Sequence, residues 1–588
     1  MVARSSSWVG VLLLASACAE GPSSGDAETG ESGSDTQTET SSDSETETGS
    51  PQPDLPDDES ESETAETETG DECPPPPCEA CTCVAGELEC ACEELLPAAG
   101  FVELPGVDYE LGLGDLAMPQ SSTDSRQFWA MQPADVAPEH APVFVFFNGG
   151  PGVSSGMLLG LGVGRMSFDP ALTGPDASVA ENPDSWTSLG TLIWIDARQT
   201  GFSYGLLDDP SDYASRSAAM DVASFNSYRD AADFVRTLLQ LLHDNPILQD
   251  NPIVLVAESY GGTRAQLMLD MLLHPSAYGD GSRRLRDPEL VATILAHHDA
   301  VLGPDAGPEQ IATQFGRQIL IQPAMTGWRM QASAGVLFEQ PGSVIEQLAA
   351  ELGEDYVTCA ELGGPCDPFD HAISFVSSNG RSPYDYRAPY SWLNDIFALV
   401  GDRLNDSATT EALLGVTASS IVGLAANQRA GAWRAAQPDA YPADAAVGDW
   451  PAVAGALEPW DRYFVTFNVE AFNEFGSYAA RQLDVDPADP HFGELFLSNL
   501  IWVDALVTEA AYDLIVHTPA IPGALATYES MVSEVIVDPD AEEWLIEYVP
   551  QLGVGSRVVT VPRYEASHAV TLDAPSAMRD DVELWLAR

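Results

Sequence analysis

The amino-acid sequence predicts an α/β architecture, a largely parallel sheet buried between helices, and three observations carry that prediction. Four short apolar runs, residues 141–147 (APVFVFF), 191–195 (TLIWI), 252–257 (PIVLVA) and 290–295 (LVATIL), have the length and composition of buried parallel strands. Between the second and third runs, residues 218–243 repeat apolar side chains at helical spacing and stop before Asn245-Pro246, as a crossover helix does. The third run passes straight into the turn Ala257-Glu258-Ser259-Tyr260-Gly261-Gly262, after which residues 263–273 read as a helix. Strands that alternate with helices favour an open α/β sheet over a sandwich.

The chain has 588 residues, 45% of them hydrophobic, which is enough to bury at least one large core. Its 24 basic residues are all arginine, and against 91 acidic residues they leave a net charge of -67. Such a balance argues against nucleic acid as a partner, because phosphate backbones are held by positive charge. An acidic surface of this kind is either simply soluble and self-repelling or adapted to salty water, where screening relieves the repulsion.

The N-terminus reads as an export signal. Arg4 supplies positive charge, residues 8–14 form an apolar run too short to span a bilayer, and Ala15-Ser16-Ala17 offers a small-residue cleavage site, so residues 1–17 are expected to be a signal peptide. Cys18 follows, and the stretch Leu14-Ala15-Ser16-Ala17-Cys18 resembles a bacterial lipoprotein signal. That resemblance implies lipidation of Cys18 and a cell-surface or periplasmic lipoprotein; simple secretion is the alternative. Membrane contact is then expected only through that anchor, since no other segment has a long uncharged apolar run. Residues 18–72 form an acidic tether: Ser, Thr, Glu, Asp, Gly and Pro dominate, and so little apolar surface cannot offset chain entropy.

Nine cysteines punctuate the chain. Cys73, Cys78, Cys81, Cys83, Cys90 and Cys92 make residues 73–95 a Cys-rich segment that reads, in an exported chain, as a small disulfide knot, with a zinc site as the rival. Cys359 and Cys366 are close enough in sequence to staple a loop. No cysteine sits on a strand-to-helix turn, where a nucleophile would be expected.

The chemistry concentrates at Ser259. A buried strand, a sharp turn and a helix form the frame of a nucleophile elbow, in which small residues two before and two after the serine, here Ala257 and Gly261, let the backbone turn tightly and expose the hydroxyl. Such a pattern alone is also met at ordinary strand-to-helix turns.

Further segments carry a family resemblance. Phe146-Phe147-Asn148-Gly149-Gly150-Pro151-Gly152 follows the first strand and resembles the glycine loop of the serine carboxypeptidase family. Asn182-Pro183 with Ser185-Trp186, then Ile195-Asp196, Thr200-Gly201-Phe202-Ser203-Tyr204 and Glu258-Ser259-Tyr260-Gly261-Gly262, are similar to that family's signatures in the same order. The resemblance is dense between 140 and 265 and sparse through the middle. It implies an α/β-hydrolase catalytic domain over residues 96–588, with a mixed sheet, helices on both faces and a largely helical lid insertion at about 309–465. Residues 382–387 (SPYDYR), inside that insertion, look like a family marker.

An acylating serine needs a base, an acid that orients the base, and donors for the oxyanion. In α/β-hydrolases these partners follow the serine, acid first and histidine last. His568, in Glu565-Ala566-Ser567-His568-Ala569-Val570, is similar to the family's terminal histidine segment and is the expected base. Asp513, in residues 511–516 (AYDLIV), is the expected acid, with Asp504 as its rival; His517 reads as a surface or turn residue. The resemblance further implies that the backbone N–H groups of Gly150 and Tyr260 form the oxyanion hole. It also implies that Asn148 and a protonated Glu258 hold a substrate's C-terminal carboxylate, which favours acidic pH. Apart from the resemblance, Glu258 reads as a buried strand-end acid paired with an arginine.

Departures from the pattern are also visible. An acidic residue that the family carries downstream of the loop asparagine falls here on Gly162, and Ser567, Ala569 and Thr571 replace the glycine, methionine and proline common around the histidine. His297-His298-Asp299 lacks metal-ligand spacing. The resulting expectation is an exported serine-type carboxypeptidase acting on peptide or protein substrates, with no metal or organic cofactor. An esterase or acyltransferase on the same triad, or an inactive surface-binding protein, are the alternatives.

Overall fold

The computed structural model describes residues 81–84, 87–90, 96–106, 110–111, 124–149, 155–168, 178–198, 203–205, 227–280, 282–283, 285–304, 306–323, 338–339, 341–366, 368–392, 412–413, 499–516, 543–548 and 557–588. The expected signal peptide, the lipidation site Cys18, the acidic tether and most of the Cys-rich segment lie outside these residues. So do Gly150, Thr200-Gly201-Phe202 and His517. The chain divides into two compact units, Glu20–Leu95 in one and Leu96–Arg588 with Met1–Ala19 in the other. Within the first, Cys81–Val84 pairs antiparallel with Glu87–Cys90, Cys81 opposite Cys90.

The second unit is built on an 11-stranded sheet. In chain order its strands are β1 (Ala99–Leu104), β2 (Ser125–Gln132), β3 (Val143–Phe147), β4 (Thr191–Ile195), β5 (Tyr204–Gly205), β6 (Ile253–Glu258), β7 (Arg317–Ile321), β8 (Asp504–Val507), β9 (Glu509–Ala510), β10 (Glu543–Tyr548) and β11 (Arg557–Tyr564). The spatial order runs β5-β2-β4-β3-β6-β7-β8-β11-β9, with β1 on β2 and β10 on β11. Strands β4, β3, β6, β7, β8 and β11 run parallel, whereas β2 joins β4 antiparallel.

Alternation along the central strands sends side chains to two apolar layers. Val143, Val145 and Phe147 of β3, with Ile253, Leu255 and Ala257 of β6, share a core with helices α1 (Ser227–Asp244) and α2 (Gly261–Leu273). Phe144, Phe146, Val254 and Val256 face the opposite layer. There they meet Trp186, Trp194 and the face of the C-terminal helix Pro575–Leu586 that carries Met578, Val582 and Trp585. Every residue of β3 and β6 is buried, and each large apolar side chain so placed contributes about 1.5–3 kcal/mol. Helices on both faces of a mixed sheet are thus the observed architecture, and the crossover helix α1 carries Asp230 in its first turn and His243 in its last, as the helix dipole prefers.

Two expectations need correction. Residues 290–295 are not a strand but part of helix α3 (Pro288–Val301). Asp287 caps it by accepting the Leu290 N–H, Pro288 takes the first helical position, and Leu290, Ile294 and His298 are buried at helical spacing. A short apolar run alone cannot separate strand from helix, and the cap decides. The inserted segment also starts later than residue 309, because helix α4 (Pro308–Phe315) leads into β7, which pairs with β6 and β8 at the centre of the sheet. After that strand, the described part of the insertion holds helices Val344–Leu352 and Pro368–Ser378 and a disulfide joining Cys359 to Cys366.

Helix α3 buries His297 and His298 side by side, their ring centroids 5.5 Å apart. Among the described residues neither His298 ring nitrogen has a hydrogen-bond partner. Burial pushes both imidazoles down to about 4, helped by His243 beside His297 and by His297 beside His298. Both must then bind a proton on unfolding once the pH drops below the unfolded value of 6.5, so they subtract stability progressively from there to about 4. His298→Phe is expected to narrow the gap between melting temperatures measured near pH 7.5 and near pH 4.5; an unchanged gap would contradict this.

Candidate active site

The site grows from the C-terminal ends of β3, β6 and β9 and from the loop after β11. In parallel sheets these ends share one edge. Strand β6 sits between β3 and β7, with Ala257 opposite both Phe147 and Leu320 and Glu258 opposite Ile321. Beyond Glu258 the backbone turns at Ser259, whose φ of 56° lies in the left-handed region. A side chain there costs about 1–3 kcal/mol and persists only where its surroundings hold it. The holding groups are visible: the Ser259 N–H donates to the Ile321 carbonyl at 3.0 Å, and Gly262 N–H donates back to the Ser259 carbonyl at 2.9 Å. Small neighbours are required as well. A Cβ on Gly261 would lie 3.0 Å from the Phe147 carbonyl oxygen and 3.5 Å from Ala257 Cβ. Ser259 itself stays partly exposed, at the start of α2, where a helix leaves backbone N–H groups without intrahelical partners.

The glycine loop presses on this turn. A Cβ added to Gly149 would come within 2.4 Å of the Tyr260 nitrogen and 2.6 Å of Ser259 Cβ, so only glycine fits. Asn148 is buried and donates from Nδ2 to Glu258 Oε2 at 2.9 Å. Both ends of the loop are tied down. Arg264 Nη1 donates to the Asn148 carbonyl at 2.5 Å while its Nε donates to Asp230 at 2.8 Å. Its guanidinium lies 4.3 Å from the Phe234 ring centroid and 5.2 Å from that of Tyr260. At the other end, Ser155 N–H donates to Asp196 Oδ1 at 2.7 Å and the Ser155 hydroxyl to the Ile195 carbonyl. Ser203 Oγ donates to the Asp196 carbonyl, so the Ile195-Asp196 and Ser203 signatures act as anchors of this loop.

Asp513 and His568 meet on the other side. Asp513 is fully buried; its Oδ1 accepts the N–H groups of Ile515 and Val516, and its Oδ2 lies 2.6 Å from His568 Nδ1. An acceptor in that place fixes the tautomer, with the proton on Nδ1 and the lone pair of Nε2 available. The loops carrying the two residues are joined by Ala511 N–H to the Tyr564 carbonyl and Tyr512 N–H to the Ala566 carbonyl. Ser567 N–H donates to Asp573, and Ser567 Oγ accepts from Ala569 N–H, so the Ser567 side chain stiffens the loop that carries His568. The rival acid, Asp504, opens β8 opposite Arg317, at the strand end away from Ser259.

Ser259 and His568 are not hydrogen-bonded to each other among the described residues; such bonds commonly tighten only around substrate. Charge instead couples His568 to the residue before the serine, Glu258. Glu258, next to Ser259, is pushed up to about 7, chiefly by burial, against the opposing pull of His568 and the Asn148 hydrogen bond and with the Asp513 charge adding to the rise. Burial works to lower His568, but Asp513 and Glu258 outweigh it and hold the imidazole above 6.5. Deeper in the same layer, burial favours the neutral form of Asp233, yet Arg198 and Arg236 on its oxygens keep it down at about 2.

The sequence departures at 162 and 571 are packed against each other. A Cβ on Gly162 would lie 2.5 Å from Thr571 Cβ, and the Gly162 carbonyl accepts from Asn182 Nδ2 at 2.9 Å. No acidic side chain can stand at 162 without displacing Thr571. Sequence reasoning missed Arg264 and the contacts of the 382–387 segment with the loops that carry Asp513 and His568. A lone arginine in the apolar helix α2 is the signal that could have found the first. Among the described residues no group of three or more His, Cys, Asp or Glu is gathered as a metal site.

Residues 110–275 match the family model described as serine carboxypeptidase. The chain is 29% identical over 211 residues to the lysosomal protective protein of Mus musculus, covering 34% of this chain and 40% of that one. It is 27% identical over 158 residues to the human probable serine carboxypeptidase CPVL, covering 27% of this chain and 30% of that one. These matches span less than half the length of either relative. The crystal structure of a prohormone-processing carboxypeptidase, Kex1, from Saccharomyces cerevisiae aligns over 84% of this chain and 95% of its own at 14% identity, with a TM-score of 0.47. The match over residues 110–275 takes in strands β2 to β6, the glycine loop and the turn at Ser259, so it is this part of the chain that is similar to serine carboxypeptidases.

Proposed function

We propose that the chain is a serine carboxypeptidase that releases C-terminal residues from peptides through an acyl-enzyme on Ser259. The observation that carries the reading is the buried Asn148–Glu258 pair, whose glutamate immediately precedes the strained serine. One hydrogen of the Asn148 amide is given to Glu258, and the other, with the proton of a neutral Glu258, would be donated to a substrate's terminal carboxylate. In the reaction, Ser259 Oγ attacks the scissile carbonyl as His568 Nε2 takes its proton, and Asp513 steadies the imidazolium. The N–H groups of Tyr260 and Gly150, the latter beyond the described residues, receive the oxyanion. His568 then protonates the leaving amine, and water repeats the sequence to free the acyl group from Ser259.

The electrostatics set a pH window. Glu258 donates only while protonated, so recognition of the carboxylate is lost as pH rises through about 7. His568 accepts a proton only while neutral, which closes the acid side. For an N-blocked dipeptide with a free C-terminus, kcat/KM should therefore fall above about pH 7, while the C-terminal amide lacks that fall. Glu258→Gln should abolish the alkaline limb for the free acid and bring the two substrates closer together. Equal cleavage of acid and amide by the wild-type chain at every pH would move the reading to an esterase or amidase.

The N-terminal signal supports export, and Cys18 as a lipid anchor is part of the same proposal. No nucleic acid is expected to bind so acidic a chain. Among the described residues no helix is long and apolar enough to cross a membrane.

A further inference from the structure

The segment 382–387, in the insertion between β7 and β8, touches both the acid loop and the base loop. The Leu514 N–H donates to the Pro383 carbonyl at 2.9 Å, one residue after the acid. Tyr386 N–H donates to the Tyr512 carbonyl at 3.2 Å, one residue before it. His568 N–H donates to the Tyr384 carbonyl at 3.1 Å, and the Tyr384 ring meets the imidazole edge to face, centroids 5.5 Å apart at 70°. Arg387 lies 3.3 Å above the Tyr512 ring and pairs with Asp385 through two bonds of 2.9 and 3.0 Å. The segment is braced internally as well, by Ser382 N–H to the Ala388 carbonyl, Ala388 N–H to the Asp385 carbonyl and the bridge between Arg381 and Pro389.

A tight turn that braces itself, and whose outward bonds fall on the neighbours of the acid and on the base, has the form of a clasp. We infer that Tyr384 is a positioning residue: its ring and backbone, held by the 382–387 turn, set the plane of the His568 imidazole so that Nε2 faces Ser259 when Nδ1 is bonded to Asp513. The insertion then does more than cover the sheet edge, because part of it supports the catalytic pair. This inference rests on the proposed role of His568 as base.

The test uses the full chain with Tyr384→Phe, Tyr384→Leu and Arg387→Gln. Tyr384→Phe keeps the ring and should stay within about twofold of wild type, whereas Tyr384→Leu should lower kcat about tenfold or more with KM little changed, since small misplacements of a catalytic group are costly. The low-field proton resonance of the His568–Asp513 hydrogen bond should persist in Tyr384→Phe and broaden or vanish in Tyr384→Leu. Arg387→Gln, which loosens the clasp without touching the imidazole, should give the same changes at smaller size, and it decides the matter by both readouts if Tyr384→Leu does not fold. Loss expressed in KM alone would make Tyr384 a wall of the substrate pocket, and an unchanged resonance and kcat in Tyr384→Leu would overturn the inference. Absence of Ser259-dependent turnover in the wild-type chain would instead remove the reading on which the inference stands, a result the resonance measurement keeps separate.

Discussion

Ser259→Ala is expected to lower kcat by about a million-fold, to a residue of activity supplied by binding and oxyanion stabilisation alone. The same variant should keep its fold, because the hydroxyl accepts or donates no structural hydrogen bond among the described residues and the backbone bonds to Ile321 and Gly262 remain. Affinity for peptides with a free C-terminus should also survive, since Asn148 and Glu258 are untouched. Steady-state kinetics with thermal melting and peptide titration checks all three. Turnover that persists at wild-type level would remove Ser259 from the chemistry, and joint loss of activity, fold and binding would make its effect structural.

Asp513→Asn should be nearly as damaging, about 10⁴-fold in kcat, for a reason the hydrogen bonds make specific. Oδ1 of Asp513 accepts two backbone N–H groups, from Ile515 and Val516. An asparagine oxygen must take that place, which turns its amide nitrogen toward His568 Nδ1. The imidazole then has to accept at Nδ1 and carry its proton on Nε2, the tautomer that cannot take a proton from serine. The loss should therefore fall on kcat with KM close to wild type, and the low-field proton of the His568–Asp513 pair should disappear. Full activity in the Asp513→Asn variant would return the acid's role to another residue; Asp504, at the far end of β8, is poorly placed for it.

The sequence was most informative where chemistry and local geometry coincide. Ser259 could be singled out because strand, small residues and helix follow one another within one short stretch, and the elbow's positive φ is the physical content of that pattern. Strands β3, β4 and β6 were legible because each is a mainly apolar run buried on both faces. The run at 290–295 misled because its apolar residues suit either period, and only the Asp287 cap with Pro288 tells them apart. Strand β7 was absorbed into the insertion because the run RQILI opens with two polar residues, although Gln318 is fully buried and receives a hydrogen bond from Gln266. What could not be read at all were supports made at long range. Arg264 reaches Asn148 across 116 residues, and Tyr384 reaches His568 from the insertion; no local pattern encodes either contact. The exclusion of an acid at 162 likewise becomes intelligible only beside Thr571.

The central claim is that Ser259 is the acyl-accepting nucleophile, activated by His568. Its most direct measurement is mass spectrometry of the full chain after reaction with a fluorophosphonate, which traps an activated serine as a stable ester. The account predicts one adduct per chain, located on Ser259 by peptide mapping, absent from Ser259→Ala and formed far more slowly in Asp513→Asn. An adduct on a different residue, or none on a folded chain at a pH where His568 is neutral, would contradict it.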